Sequence, residues 1–236
     1  MRYIAGVTSD RVEGKGYQMT KVTGELDLGT GIYSLAEASR IVRQSVGRAS
    51  PRQVHYWVRE GLSESVVVDG VTILSFQDLV SLEMVSRFRH SGVSLHAIKA
   101  ADRELRARHP GLRRPFANSV FYTEGKSVWT LVGPAEDPDV IELFKKTDQY
   151  VWRRTIETFA TEITFTDGTA SSWRPTQWVE INPHVQFGEP VVAGTRVPVR
   201  TVAANLQAGS PEEVADWYAL TVEQVLGAEE YFAKAA

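Results

Sequence analysis

Cysteine is missing from all 236 residues, and its absence excludes disulfides, thiolate metal sites and thiol redox sensing together. The five histidines, His55, His90, His96, His109 and His184, are scattered with no pair three to five residues apart, so no metal centre is expected. No apolar run approaches the ~18 residues of a membrane span. The opening Met1-Arg2-Tyr3-Ile4-Ala5-Gly6 lacks the apolar core of a signal peptide, and a soluble cytoplasmic protein is expected. An enzymatic constellation is also missing. Gly14-Lys15-Gly16 lacks phosphate-loop spacing, no Ser/His/Asp set has supporting context, and the acids of the second half match no metal-nuclease pattern. Neither catalysis nor a cofactor is expected. Residues 1–30 carry five glycines and no helical apolar stripe, which reads as a flexible arm with room for one short strand.

What is present begins with charge. The formal net charge is only -3, yet residues 1–115 hold 17 Lys+Arg against 12 Asp+Glu, and residues 116–236 hold 9 against 17. The asymmetry points to a nucleic-acid face on the first half and other work for the second.

Ser34-Leu35-Ala36-Glu37 is a capping box followed by Leu35, Ala38, Ile41 and Val42 at helical spacing. Ser50-Pro51-Arg52-Gln53 starts a second helix, with Pro at its first position and Gly61 at its end. Val54, Trp57 and Val58 share its inner face. Arg52, Gln53, His55, Tyr56 and Arg59 share the outer one, and a helix buried on one side and cationic on the other suits a DNA major groove. Ser65–Leu74 holds two β-branched runs joined by Asp69-Gly70, a type I′ hairpin signal that reads as a wing. Ser75 with Asp78 opens a third helix through Phe88, Gly92 stops it, and Ser94 opens a fourth to about Arg108.

Residues 116–177 read as a β-rich connecting module. Val120–Tyr122 with Ser127–Leu131 suggests one hairpin, Asp139–Phe144 a short helix, and Thr161–Thr166 before Asp167-Gly168 a second hairpin. Its aromatics are expected to be core rather than a base-stacking platform, because acids outnumber bases around them. From residue 178, Ala193-Gly194-Thr195 is a turn between short strands. Three helices follow: a stripe of Val199, Val202, Ala203 and Leu206, a capping box at Ser210–Glu213, and a last helix capped by Thr221 with Val222, Val225, Leu226 and Phe232 inward. The expected fold is mostly α with small β hairpins, of the α+β class. It comprises a winged helix-turn-helix over 31–115, the connector, and a homeodomain-like three-helix bundle over 178–236.

The stretch Ser50-Pro51-Arg52-Gln53-Val54-His55-Tyr56-Trp57 through Arg59-Glu60-Gly61-Leu62 resembles the recognition helix of MerR-type transcription regulators. In that family an Arg followed by Tyr meets the DNA backbone; here His55 stands in place of the Arg and Tyr56 remains. The segments Phe187-Gly188-Glu189-Pro190-Val191-Val192, Gly194-Thr195-Arg196-Val197-Pro198-Val199, Gly209-Ser210-Pro211-Glu212-Glu213 and Tyr218-Ala219-Leu220-Thr221 resemble the domain-of-unknown-function family numbered 433. The combination is similar to VapB-type antitoxins of the VapBC class. That resemblance implies neutralisation of a VapC-type PIN-domain ribonuclease toxin and repression of the protein's own operon through operator DNA. Ordinary VapB proteins end in a disordered tail, whereas a folded bundle is expected here. The alternative is a stand-alone MerR-like regulator whose aromatic middle module binds a small effector.

On this reading Arg52 projects from the first turn toward guanine, and Gln53 either reads adenine or only caps the helix. His55, Tyr56 and Arg59 meet phosphate, supplemented by Arg43 and Arg48. The bundle has three basic residues against eight acidic ones over 178–236, a balance that repels DNA and assigns it to protein contacts. Arg196 either pairs with a partner carboxylate or only braces its turn. Two-fold operators make a homodimer the default.

Overall fold

The computed structural model describes residues 22–23, 31–46, 48–122 and 146–234. Strands β1 (Val22–Thr23), β2 (Tyr33–Ser34), β3 (Val66–Val68) and β4 (Val71–Leu74) form one antiparallel sheet in the order β1-β3-β4-β2. Asp69 and Gly70, at φ 48° and 81°, turn the β3–β4 wing as a type I′ pair requires. The short strand at Val22–Thr23 falls in the N-terminal arm and pairs with the wing; the rest of that arm lies outside the described residues.

Strand β2 runs straight into α1 (Leu35–Gln44), and α2 (Pro51–Arg59) packs across it. Both capping boxes close: Ser34 with Glu37, and Ser50 with Gln53. Helix α3 (Phe76–His90) is buried continuously from Asp78 to Phe88. A helix covered all round is a central helix, and α4 (Leu95–Arg108), a 3-10 turn at Pro115–Ala117 and α5 (Lys146–Ala160) pack around it. A second antiparallel sheet follows as a meander of β5 (Ile163–Thr166), β6 (Thr169–Thr176), β7 (Val179–Ile181) and β8 (Val191–Val192). The chain finishes with α6 (Val199–Asn205), α7 (Pro211–Tyr218) and α8 (Val222–Ala233), the last helix packing on both others.

The expected β-rich connector differs in two respects. Val120–Tyr122, expected to begin a hairpin, lie in a helical segment over 119–122. The 15-residue α5 was not foreseen, although Trp152, Ile156 and Phe159, all buried, stand at helical spacing. The hairpin at Asp167-Gly168 forms with φ 50° and 77°. The expected elements at Ser127–Leu131 and Asp139–Phe144 lie outside the described residues. Nor do residues 116–177 keep a core of their own. Phe88 of α3 meets Phe116 and Phe121 edge to face at 6.3 and 6.1 Å and Trp152 at 3.9 Å, so one apolar cluster extends from Tyr33 to Ile181. The C-terminal bundle has a separate cluster around Val202, Val214, Val225 and Tyr231.

Charges are buried inside the larger core. Arg87 makes a bidentate pair with Glu162 at 2.8 and 2.6 Å, reaches Glu83 at 2.6 Å and lies over the Phe159 ring at 4.3 Å. Ser45, just past α1, donates its hydroxyl to the same Glu83 oxygen, and Trp173 donates to Glu162. Burial pushes the Glu83 carboxyl up to about 7, against the opposing pull of Arg87 and Ser45. The network ties α1, α3 and the β5–β6 sheet together.

Candidate nucleic-acid interface and partner surface

Helix α2 presents the outward face expected of it. Val54 and Trp57 are buried and Val58 is half-buried, while Arg52, Gln53, His55, Tyr56 and Arg59 are exposed. These five, with Leu35, Ser50, Val58, Ser65 and Thr72, line an open cleft of about 880 Å³ between the helix and the wing sheet. Arg59 lies over the Tyr56 ring at 5.6 Å, a cation–π contact that holds both side chains on one ridge. Gln53 Oε1 accepts from the Ser50 backbone N–H at 2.8 Å and the Ser50 hydroxyl at 2.9 Å. The oxygen is thus spent on the cap, which leaves the amide nitrogen as the part of the side chain with hydrogen-bonding capacity to spare.

Part of the positive charge of the first half is neutralised by ion pairs. Arg106 and Arg113 both pair with Glu64, Arg106 also with Asp102, Arg108 with Glu104, Arg114 with buried Asp78, and Lys99 with Glu60. Arg52 and Arg59 have no ion pair among the described residues.

The seven candidate DNA contacts do not form one group. Arg43 and Arg48 are exposed, but with Gln44 they line a different depression of about 350 Å³, and its remaining wall is Lys234 from the C-terminal end of α8. By sequence Lys234 belongs to the acidic C-terminal half; only the tertiary structure places it beside two arginines. Ser65 and Thr72 were missed too. Thr72 lies in β4 and Ser65 just before β3, and their relation to α2 depends on the closure of the wing.

Arg196 is exposed in the Ala193-Gly194-Thr195 turn region. Thr195 braces that turn: its hydroxyl donates to Val192 O at 2.8 Å and accepts from Val197 N–H at 3.1 Å. No hydrogen bond or ion pair engages the Arg196 guanidinium among the described residues. A second turn lies against it. Gln186 Nε2 donates to Arg196 O at 3.0 Å, and Gln186, Phe187 and Gly188 have successive positive φ values of 47°, 56° and 89°. The Tyr33 hydroxyl donates to Gly188 O at 2.8 Å, joining β2 of the wing sheet to this turn. Burial raises the Tyr33 phenol far above its ordinary range, with the Glu37 charge adding to it, so the bond keeps its proton at all working pH values.

The last helix departs from expectation at two positions. Val225 is fully buried, but Leu226 and Phe232 are 46% and 36% exposed; Ala228 and Tyr231 take the inward places, and Gly227 lies against Trp178. Glu223, Glu229 and Glu230 are exposed along the same helix, a distribution that does not attract DNA.

Residues 33–105 match the family model described as MerR HTH family regulatory protein, and residues 179–232 match that described as Protein of unknown function (DUF433). The chain is 26% identical over 228 residues, covering 85% of it and 93% of the relative, to a Mycobacterium tuberculosis (strain ATCC 25618 / H37Rv) protein named "Putative antitoxin VapB45". Its fold is similar to that of the crystal structure of Rv2018 from Mycobacterium tuberculosis, with a TM-score of 0.71 and 24% identity over 86% of this chain and 98% of that one. No helix among the described residues is long and apolar enough to cross a membrane. The chain thus carries a MerR-type helix-turn-helix domain followed by a DUF433 domain.

Proposed function

We propose that the protein is a DNA-binding antitoxin: α2 enters the major groove of its own operator, and the C-terminal half neutralises a VapC-type PIN-domain ribonuclease. The observation that carries the DNA reading is the outward face of α2, where Arg52 and Arg59 stand without ion pairs beside Gln53, His55 and Tyr56 on one wall of an open cleft. An Arg in the first turn can pair bidentately with guanine, and the others are placed for phosphate. The similarity to a named antitoxin over most of the chain supports the toxin reading, as does the acidic bundle, which is better suited to protein than to DNA. Two-fold operators imply a homodimer. The small-effector alternative loses its motive, because Phe116, Phe121, Trp152, Phe159 and Trp173 are packed into the core.

The test combines two measurements on the full chain. Operator DNA should bind with a steep salt dependence, and the ribonuclease encoded beside this gene should co-purify and lose activity. Retained DNA binding with no effect on the ribonuclease would leave a MerR-like regulator and remove the antitoxin function.

A further inference from the structure

Phe187 is 86% exposed, more than any other large apolar side chain among the described residues, and it holds a left-handed backbone at φ 56°. A bulky residue rarely adopts that conformation; it persists where the surroundings impose it and concentrates at functional positions. Here the imposing contacts are visible. The Tyr33 hydroxyl holds Gly188 O, Gln186 Nε2 holds Arg196 O, and Gly188 N–H donates to Val185 O at 3.0 Å. Folding alone gains nothing from an exposed ring in this position, because a glycine would fit the backbone better. The Gln186–Arg196 bond also brings the exposed, ion-pair-free Arg196 onto the surface that carries Phe187. Among the basic residues of the bundle Arg196 is alone in this, since Arg200 is paired with Glu189 and Lys234 with Glu230.

We infer that Phe187 and Arg196 are the anchor of the partner-binding surface. The occupant is a folded protein offering an apolar socket for the ring with a carboxylate at its rim for the guanidinium. Aromatic residues and arginine are the types that dominate binding energy at interfaces, and the hydrogen-bonded backbone of the two joined turns lowers the ordering cost of binding. The inference rests on the antitoxin reading, with the ribonuclease as that occupant.

The test titrates the full-length protein with the ribonuclease encoded beside its gene. Phe187→Ala should bind about 30-fold more weakly or worse, the loss typical of a central anchor, and Arg196→Glu should bind similarly weakly. Phe187→Gly, by relieving the backbone, should melt at the wild-type temperature or a few degrees above it while losing the partner equally. If Phe187→Gly melts lower, the ring is a structural residue and the assignment fails. Unchanged affinity in Phe187→Ala, with loss instead in Trp217→Ala or Leu226→Ala, would move the interface to the bundle face and overturn it while leaving the antitoxin reading intact. Conversion of a wild-type homodimer to monomer by Phe187→Ala would make a second copy the occupant, also overturning it. Failure of the wild-type protein to bind at all would remove the antitoxin reading and this inference together.

Discussion

Arg52 and Arg59 share a helix face but not a role. Arg52 stands free in the first turn, whereas Arg59 is steadied by the Tyr56 ring near the other end. Arg52→Ala is expected to relax sequence preference at a cost of roughly 1–3 kcal/mol, and Arg59→Ala to weaken binding to all sequences alike with a shallower salt slope. Fluorescence anisotropy against operator and scrambled duplexes separates the two; equal losses on both duplexes for Arg52→Ala would remove it from base readout. On the resemblance to MerR-type recognition helices, His55 stands where an Arg would meet the DNA backbone, so His55→Arg should tighten binding to both duplexes. Gln53 shows why one residue's role was open in the sequence. The capping box and the groove use the same side chain, and the observed bonds to Ser50 commit its oxygen to the cap.

At the level of elements, local signals located helix ends and turns well. Each Ser or Thr three residues before Glu, Gln or Asp in α1, α2, α3, α7 and α8 became a closed capping box, because that geometry depends on four consecutive residues alone. Contacts distant in sequence left no such trace. Gly188 has φ 89°, and a Cβ there would overlap the Tyr33 hydroxyl, a neighbour 155 positions away. Gly188→Ala is therefore expected to cost about 2–4 kcal/mol, with both the strained φ and the lost Tyr33 bond contributing; Tyr33→Phe, which removes the bond without the overlap, should cost about 1 kcal/mol. Urea midpoints measure both. Equal losses would mean that the overlap at Gly188 is relieved by movement of the turn. The inward set of α8 was misjudged for a related reason: the apolar stripe contains Leu226 and Phe232, but Trp178 and Tyr231 decide which side is covered.

For the molecule as a whole, the buried Glu83–Arg87–Glu162 network makes stability depend on pH. Glu83 has its pKa raised to about 7 from an ordinary 4.5. A raised carboxyl pKa means the folded state binds the proton more tightly. Its contribution is fully present below the unfolded value and is lost as pH rises through about 7. Wild-type protein should therefore gain on the order of 1–2 kcal/mol relative to Glu83→Gln on going from pH 7.5 to 5.5. Parallel pH profiles for the two would show that Glu83 keeps the same charge throughout. Chain division is the second expectation at this scale. A fragment ending at residue 115 removes Phe116, Phe121 and Trp152 from around Phe88, so it should be molten by near-ultraviolet circular dichroism, whereas a fragment carried through Ile181 retains the whole cluster. A sharply folded 31–115 fragment would contradict that continuity.

The amino-acid sequence by itself determined the capped helices, the Asp-Gly hairpins, the amphipathic face of α2 and the charge division between the two halves. Each of these depends on residues within a few positions of one another or on simple counting. The tertiary structure decided which arginines remain unpaired, that the connector shares the core of the winged helix, that Lys234 stands beside Arg43 and Arg48, and that Tyr33 holds the Phe187 turn. Those outcomes come from contacts between segments up to 155 positions apart. Helical or strand periodicity reports which face of an element is apolar but not which distant surface will cover it.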